Sequence, residues 1–233
     1  MINAEGDITM ERILLPIVMF GGAIALVGGI VFLVRYAAKK RKEALMALAT
    51  EMGLQFSAVQ DEDLLGKMKM FSLFNRGRAR KMRNVMTTET DVARLSIFDY
   101  QYTTGGGESS HTYRQTVVAL ESEALVMPVF SLRPEGFFHK LGAAIGMQDI
   151  DFENHPEFSD SFVLTGGDEQ AVRSFFDDSL LEHFVQQKGS CVEGASGMFI
   201  YFRSGQRKPE EIREFMNQGY MMYSAFRDRS SRS

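Results

Sequence analysis

The chain has 233 residues, with 26 basic against 30 acidic side chains and a net charge of −4, which argues against a general nucleic-acid binder, since such proteins are basic overall. A single cysteine, Cys191, excludes an intramolecular disulfide and a cysteine metal cluster, and fits a reducing compartment. With 45% hydrophobic residues and 19 Phe, the chain can bury a substantial core.

Residues 1–12 carry Glu5, Asp7, Glu11 and Arg12, so the leading end is net acidic and lacks the basic start of a cleaved signal peptide. The run Ile13 to Val34 that follows is uncharged and mostly apolar. As a helix rising about 1.5 Å per residue it spans roughly 33 Å, enough to cross the hydrocarbon core of a bilayer. Arg35, Lys39, Lys40, Arg41 and Lys42 come next. Because Lys and Arg are retained on the cytoplasmic side, the expected orientation puts the N-terminus outside and everything after residue 43 in the cytoplasm. The expected location is the inner (cytoplasmic) membrane. Within the span, Gly21, Ala25 and Gly29 recur every four residues, a spacing that lets two membrane helices pair closely as a homodimer, although small residues are also common in such helices.

A basic juxtamembrane helix is expected over 35–53, with Leu45, Leu48, Ala49 and Met52 on one side and Gly53 as its stop. Asp61 caps a short helix to Lys69. Arg80–Thr88 and Val92–Thr103 read as a hairpin, the second strand central because both its faces are apolar. Thr112–Glu121 is a third strand, and Leu125–Arg133 a fourth, placed at an edge by Pro128. Pro134 opens a helix carrying Phe137, Phe138, Leu141 and Ile145. After a strand at Phe162–Thr165, Asp168 caps one helix holding Val172, Phe175, Phe176, Leu180 and Phe184, closed by Gly189. Cys191–Arg203 forms a hairpin, and Pro209 opens a last helix with Ile212, Phe215, Met216, Tyr220 and Tyr223. Hairpins followed by helices, without βαβ alternation, give an α+β fold with an antiparallel sheet. The expected division is a β-rich lobe over 54–147, an α/β lobe over 148–227 and a disordered tail over 228–233.

Candidate chemistry is sparse. Asp149–Asp160 has the length of a calcium-binding EF-hand loop, and Asp149, Asp151, Glu153 and His155 alternate. It departs where the loop needs glycine, at Asn154, and where it needs a bidentate Glu, at Asp160. A divalent-metal module or enzyme built on Asp149–His155 is therefore an alternative reading, against a polar connector whose acids cap turns. Gly194-Ala195-Ser196-Gly197 is one residue short of a nucleophile elbow, and the Gly105–Gly107 loop lacks the Lys and Ser/Thr of a phosphate cradle. The four histidines show no zinc spacing. No residue set for catalysis, cofactor or metal emerges, and no enzyme activity is assigned. Arg76, Arg78, Arg80, Lys81 and Arg83 form a basic run in which alternation would put Arg76, Arg78 and Arg80 on one strand face. Arg78, Arg80, Lys81 and Arg83 are candidates for anionic lipid on the inner leaflet, against a charged edge that blocks aggregation.

The segments Phe98–Gly105, Tyr113–Val118, Leu132–Phe137, Asp149–Phe152 and His155–Phe158 resemble a bacterial family of uncharacterised single-pass membrane proteins with a cytoplasmic α+β domain. The resemblance covers most of the soluble part and implies the same topology, without an assigned activity. The function read from the sequence is a membrane-anchored cytoplasmic interaction or scaffold domain for a protein partner.

Overall fold

The structure, a computed structural model, describes residues 4–137, 149–195 and 197–231. Pro16 lies inside the apolar run, yet the helix continues through it, and the expected anchor and juxtamembrane segments form one element, α1, Ala4–Glu51. It stops where expected. Gly53 takes a φ of +69°, and the Leu54 N–H reaches back to the Ala49 carbonyl at 2.8 Å. Glycine adopts that left-handed conformation without a Cβ clash.

The chain divides into two units, Met1–Leu45 and Met46–Ser233. In the first, side chains from Met19 to Val34 stand exposed, including Phe20 and Ile24 at 72%. Among the described residues this is the one helix long and apolar enough to cross a membrane.

The second unit is built on one eight-stranded sheet in the order β1-β2-β3-β4-β8-β7-β5-β6. Its strands are β1 Gln55–Ser57, β2 Arg78–Glu89, β3 Arg94–Thr104, β4 His111–Glu121, β5 Phe130–Pro134, β6 Phe162–Gly166, β7 Ser190–Ala195 and β8 Met198–Arg203. All neighbouring pairs run antiparallel. The helices are α2 Glu62–Met68, α3 Pro156–Ser159, α4 Glu169–Phe175, α5 Asp178–Gln186 and α6 Ile212–Ser230.

Side chains alternate across a strand, so the sheet separates two cores. On the first face Phe98, Tyr100, Tyr102, Val117, Ile200 and Phe202 pack with Leu64 and Met68 of α2 and with Phe71, Leu73 and Phe74 of the 3-10 turn that follows. The second face meets α4, α5 and α6 through rings: Phe199 lies 5.1 Å from Phe226, Tyr201 5.0 Å from Phe215, and Phe130 4.9 Å from Phe176. Helix α6 comes so close to β4 that a Cβ on Gly219 would collide with Val118.

Five expectations change. The two lobes are one unit, because β4 pairs with β8 and β5 with β7, joining residues on both sides of Gly146 in a single sheet. β5 is an interior strand between β6 and β7. Pro128 falls before it, where no ladder hydrogen bond is asked of it. The helix expected after Asp168 breaks at Phe176, and Asp177 caps a second one by accepting the Leu180 N–H at 2.9 Å. The tail expected to be disordered from 228 is helical to Ser230. Arg229 there donates to Asp177 and, at 2.6 Å, to Ser179. Pro134, expected to open a helix, instead ends β5, and a 3-10 turn over Glu135–Phe137 follows it; the rest of that expected helix, with Phe138, Leu141 and Ile145, lies outside the described residues.

One polar contact sits inside the first core. Arg133 of β5 and Glu193 of β7 are 2% and 3% exposed and meet at 2.5 Å. The Glu193 carboxylate also accepts the backbone N–H of Ser72 at 2.5 Å and of Leu73 at 3.2 Å, the first donors of the 3-10 turn. Removing one partner of a buried ion pair costs about 3–5 kcal/mol. Glu193→Leu strands both the guanidinium and two amide donors, so it should destabilise by at least that much. Arg133→Met leaves the carboxylate on its amide donors and should cost less. The double variant should fall between them, because the orphaned N–H groups persist. Urea unfolding followed by tyrosine fluorescence, usable because the chain has no Trp, orders the three. Equal losses for both single variants would show that the amide bonds to Glu193 contribute nothing.

Candidate functional site

Asp149–Asp160 begins as an extension of the sheet. The Ile150 N–H donates to the Leu164 carbonyl at 2.8 Å, and Asp149 accepts the Leu164 N–H at 2.9 Å on the outer side of β6. Burial raises the Asp149 carboxyl above its ordinary value, an effect the Leu164 N–H opposes. The rest of the stretch is held by separate partners. The Asp151 carbonyl accepts from Arg173 at 2.7 Å, and the Phe152 N–H donates to Ser159 Oγ at 2.9 Å. His155 Nε2 lies 2.9 Å from Asp178 Oδ1, and Glu157 pairs with Lys188 at 3.0 Å. The acids therefore diverge. Among the described residues, no three His, Cys, Asp or Glu side chains converge as a metal site would require.

What the stretch does form is a wall. With α5 it lines a groove of about 630 Å³, bounded by His155, Glu157 and Phe158 on one side and by Ser179, Glu182 and His183 on the other. A smaller hollow of about 340 Å³ shares His155 with it and is lined by Asp151, Glu153, Arg173 and Asp178. The His155–Asp178 pair has the form of a base with its orienting carboxylate, which nucleophilic catalysis would need to combine with an activated hydroxyl or thiol. Ser179 is committed elsewhere, donating to Asp177 at 3.1 Å and accepting from Arg229. Cys191 is fully buried in the first core, and burial pushes its thiol up and away from the reactive thiolate. Sequence reading missed the His155–Asp178 pair because it joins residues 23 apart, across one strand and two helices.

The first glycine motif is a turn element, and the second begins inside a strand. Gly105 and Gly107, with φ of +71° and +56°, join β3 to β4 and do not lead into an α-helix. Gly194 lies inside β7, where a Cβ would strike the Phe130 ring; Ser196 lies outside the described residues.

The basic run is reorganised. Ala79 and Asn84 both take a φ of +51°, and the β2–β3 register slips between Arg78 and Lys81 and again between Arg83 and Met86. Each slip inserts one extra residue and breaks simple alternation. Arg76 sits at the end of the 3-10 turn, and Arg80 donates to the Phe74 carbonyl at 2.6 Å on the first face. Arg76, Arg78 and Arg80 thus do not share a strand face. Arg78, Lys81 and Arg83 instead pair with Thr103, Gln101 and Asp99, whose side chains belong to the second face. β1 pairs only with Val85–Thr87, so the Arg78–Asn84 half of β2 has no strand on its outer side among the described residues. Positive charge on such an edge discourages further strand pairing.

No protein-family model matches the sequence, and no curated protein matches it. Among solved structures, the fold is similar to the crystal structure of the mycobacterial trehalose monomycolate transport factor A, TtfA. The TM-score is 0.56 at 15% identity, over 82% of this chain and 93% of that one.

The groove makes one pH prediction. Burial, and secondarily the positive charge of Arg229, hold His183 below its ordinary value of 6.5. The unfolded chain then binds a proton before the folded one as pH falls, so stability is full above about pH 6.5 and declines below it. Urea midpoints should drop between pH 7 and pH 5, and His183→Gln should flatten part of that slope. An unchanged slope would show that His183 titrates alike in both states.

Proposed function

We propose that the chain is a membrane-anchored accessory protein: the run from Ile13 to Val34 crosses the cytoplasmic membrane with the N-terminus outside, and the sheet domain holds a protein partner in the cytoplasm. The observation that carries this reading is the coupling of an exposed apolar helix to a folded domain built on one eight-stranded sheet. Five cations directly after the apolar run support the orientation. The likeness in fold to a transport factor supports the accessory role. By that likeness, the partner is a component of a membrane transport assembly. Gly21, Ala25 and Gly29 supply a face on which two copies of the helix can pair. Apart from the backbone of its own helix, nothing lies within 4 Å of a Cβ added at either glycine, so the face is open.

Orientation is testable with an impermeant thiol reagent on intact cells. Asn3→Cys should be labelled and Lys188→Cys should not; Cys191 is silent in either case because it is buried. The reverse pattern would overturn the cytoplasmic assignment.

The accessory role is tested by purification from membranes in mild detergent, with the natural anchor or with an unrelated membrane helix in its place. A partner retained by both forms places binding in Met46–Ser233. A partner retained only with the natural anchor places it in the helix, and elution of both forms alone would overturn the role. Gly21, Ala25 and Gly29 changed together to Leu should weaken self-association in a membrane two-hybrid assay, while a Leu26 and Val27 control should not. Equal signals would remove the pairing face.

A further inference from the structure

Exposed cations of the basic run, Arg78, Lys81 and Arg83, belong to a surface spread over three strands. Antiparallel partners project to the same side of a sheet, and the registers set out three rows on the second face. Arg78 stands beside Thr103 and Thr112, Lys81 beside Gln101 and Arg114, and Arg83 beside Asp99 and Thr116. Arg78, Lys81, Arg83 and Arg114 are all exposed, and none makes an ion pair among the described residues. The neutral side chains between them, Gln101, Thr103 and Thr112, are half-buried. The one acid in these rows, Asp99, is sunk to 6% exposure and takes a hydrogen bond from Asn84 at 2.9 Å. The segment leading to α6 crosses the sheet at Thr116, where the Arg207 N–H donates to Thr116 Oγ1 at 3.0 Å. The rows of Arg78 and Lys81 lie beyond that crossing.

The acids gather elsewhere. Asp149–Asp160 lies against β6, five strands from β3, or about 24 Å at the usual strand spacing. The chain is acidic overall, yet the exposed charged side chains in these three rows are all positive.

We propose that this face binds anionic phospholipid headgroups of the membrane in which the chain is anchored. The inference rests on the membrane-anchored reading above. The occupant follows from charge and shape. A single phosphate would need donors that converge on one point, whereas Lys81 and Arg114 stand on strands two apart, about 10 Å, on a sheet surface. That distribution suits a plane of many headgroups, each attracted by the cation nearest to it. Arg114 belongs to the face although it lies outside the basic run, and Arg80 does not belong although it lies within it, because its guanidinium turns to Phe74 on the first face.

The test uses the full chain in lipid nanodiscs, with Gln101→Cys carrying a bimane fluorophore and a headgroup spin label as quencher; Cys191 is buried and stays unlabelled. Quenching should rise when phosphatidylglycerol is mixed into phosphatidylcholine. It should be lost as salt goes from 0.1 M to 1 M, where the Debye length shrinks from about 10 Å to about 3 Å. Arg78→Gln, Lys81→Gln, Arg83→Gln and Arg114→Gln together should abolish the rise, and Arg114→Gln alone should reduce it. Arg80→Gln should leave it, as should a control carrying Lys69→Gln, Lys188→Gln, Lys208→Gln and Arg213→Gln. Circular dichroism confirms the fold of each variant. Quenching that ignores lipid charge would overturn the proposal, as an acidic protein or nucleic acid on this face would require. Equal loss in the control variant would overturn it too, since the effect would then belong to net charge. Failure of the anchor reading is separate: the chain would not co-elute with nanodiscs of either composition.

Discussion

The sheet domain depends on a carboxylate placed where carboxylates rarely survive. Glu193 lies in the first core, and an isolated charge there would be expensive. It is held because three kinds of donor converge on it: the Arg133 guanidinium, the Ser72 hydroxyl and the first amides of the 3-10 turn at Ser72 and Leu73. Those amides have no partner within the turn, since the first donors of any helical turn lack one. The contact therefore solves two problems at once. It satisfies the turn, and it clamps the segment carrying Phe71, Leu73 and Phe74 onto the strands it must cover. Arg133 also donates to Ser131 at 3.0 Å, tying the guanidinium to its own strand.

The contact also explains how residues distant in sequence close one core. β5 and β7 are separated by β6, α3, α4 and α5, yet they lie side by side. Arg133 and Glu193 lie near one another on the face shared by those two strands. Beside them, Gly194 admits the Phe130 ring on the opposite face, where any side chain would collide. One face is thus fixed by charge and the other by shape. A slip of one residue between β5 and β7 would bury the wrong groups on both sides.

Much of this was legible in the sequence. The apolar run, the cap at Asp168, the stop at Gly53 and the hairpins all follow from local patterning, which depends only on neighbours in the chain. The misreadings share a cause. Phe175, Phe176, Leu180 and Phe184 fit one helical stripe, yet the helix breaks because Asp177 is a better N-cap than an interior residue, and Arg229 from α6 holds it there. Burial alone would raise the Asp177 carboxyl, but the bond from Arg229 together with the Leu180 N–H and Ser179 outweighs it and holds the group low. That partner lies 52 residues away, and no periodicity announces it. Pro128 was a true signal about hydrogen bonding, but it marked the approach to a strand rather than a sheet edge.

The same distinction governs the candidate surfaces. Alternation over Arg76, Arg78 and Arg80 is a local rule, and Ala79 in the left-handed region defeats it. A non-glycine residue there is strained, and it persists only where its surroundings hold it. Here the bulge turns Arg80 toward the 3-10 turn and leaves Arg78 and Lys81 on the other side, in line with Arg114 from β4. The backbone irregularity thus sorts a run of like charges into one side chain that holds the covering segment and others that face outward. Net charge, summed over the chain, conceals that arrangement; strand register reveals it.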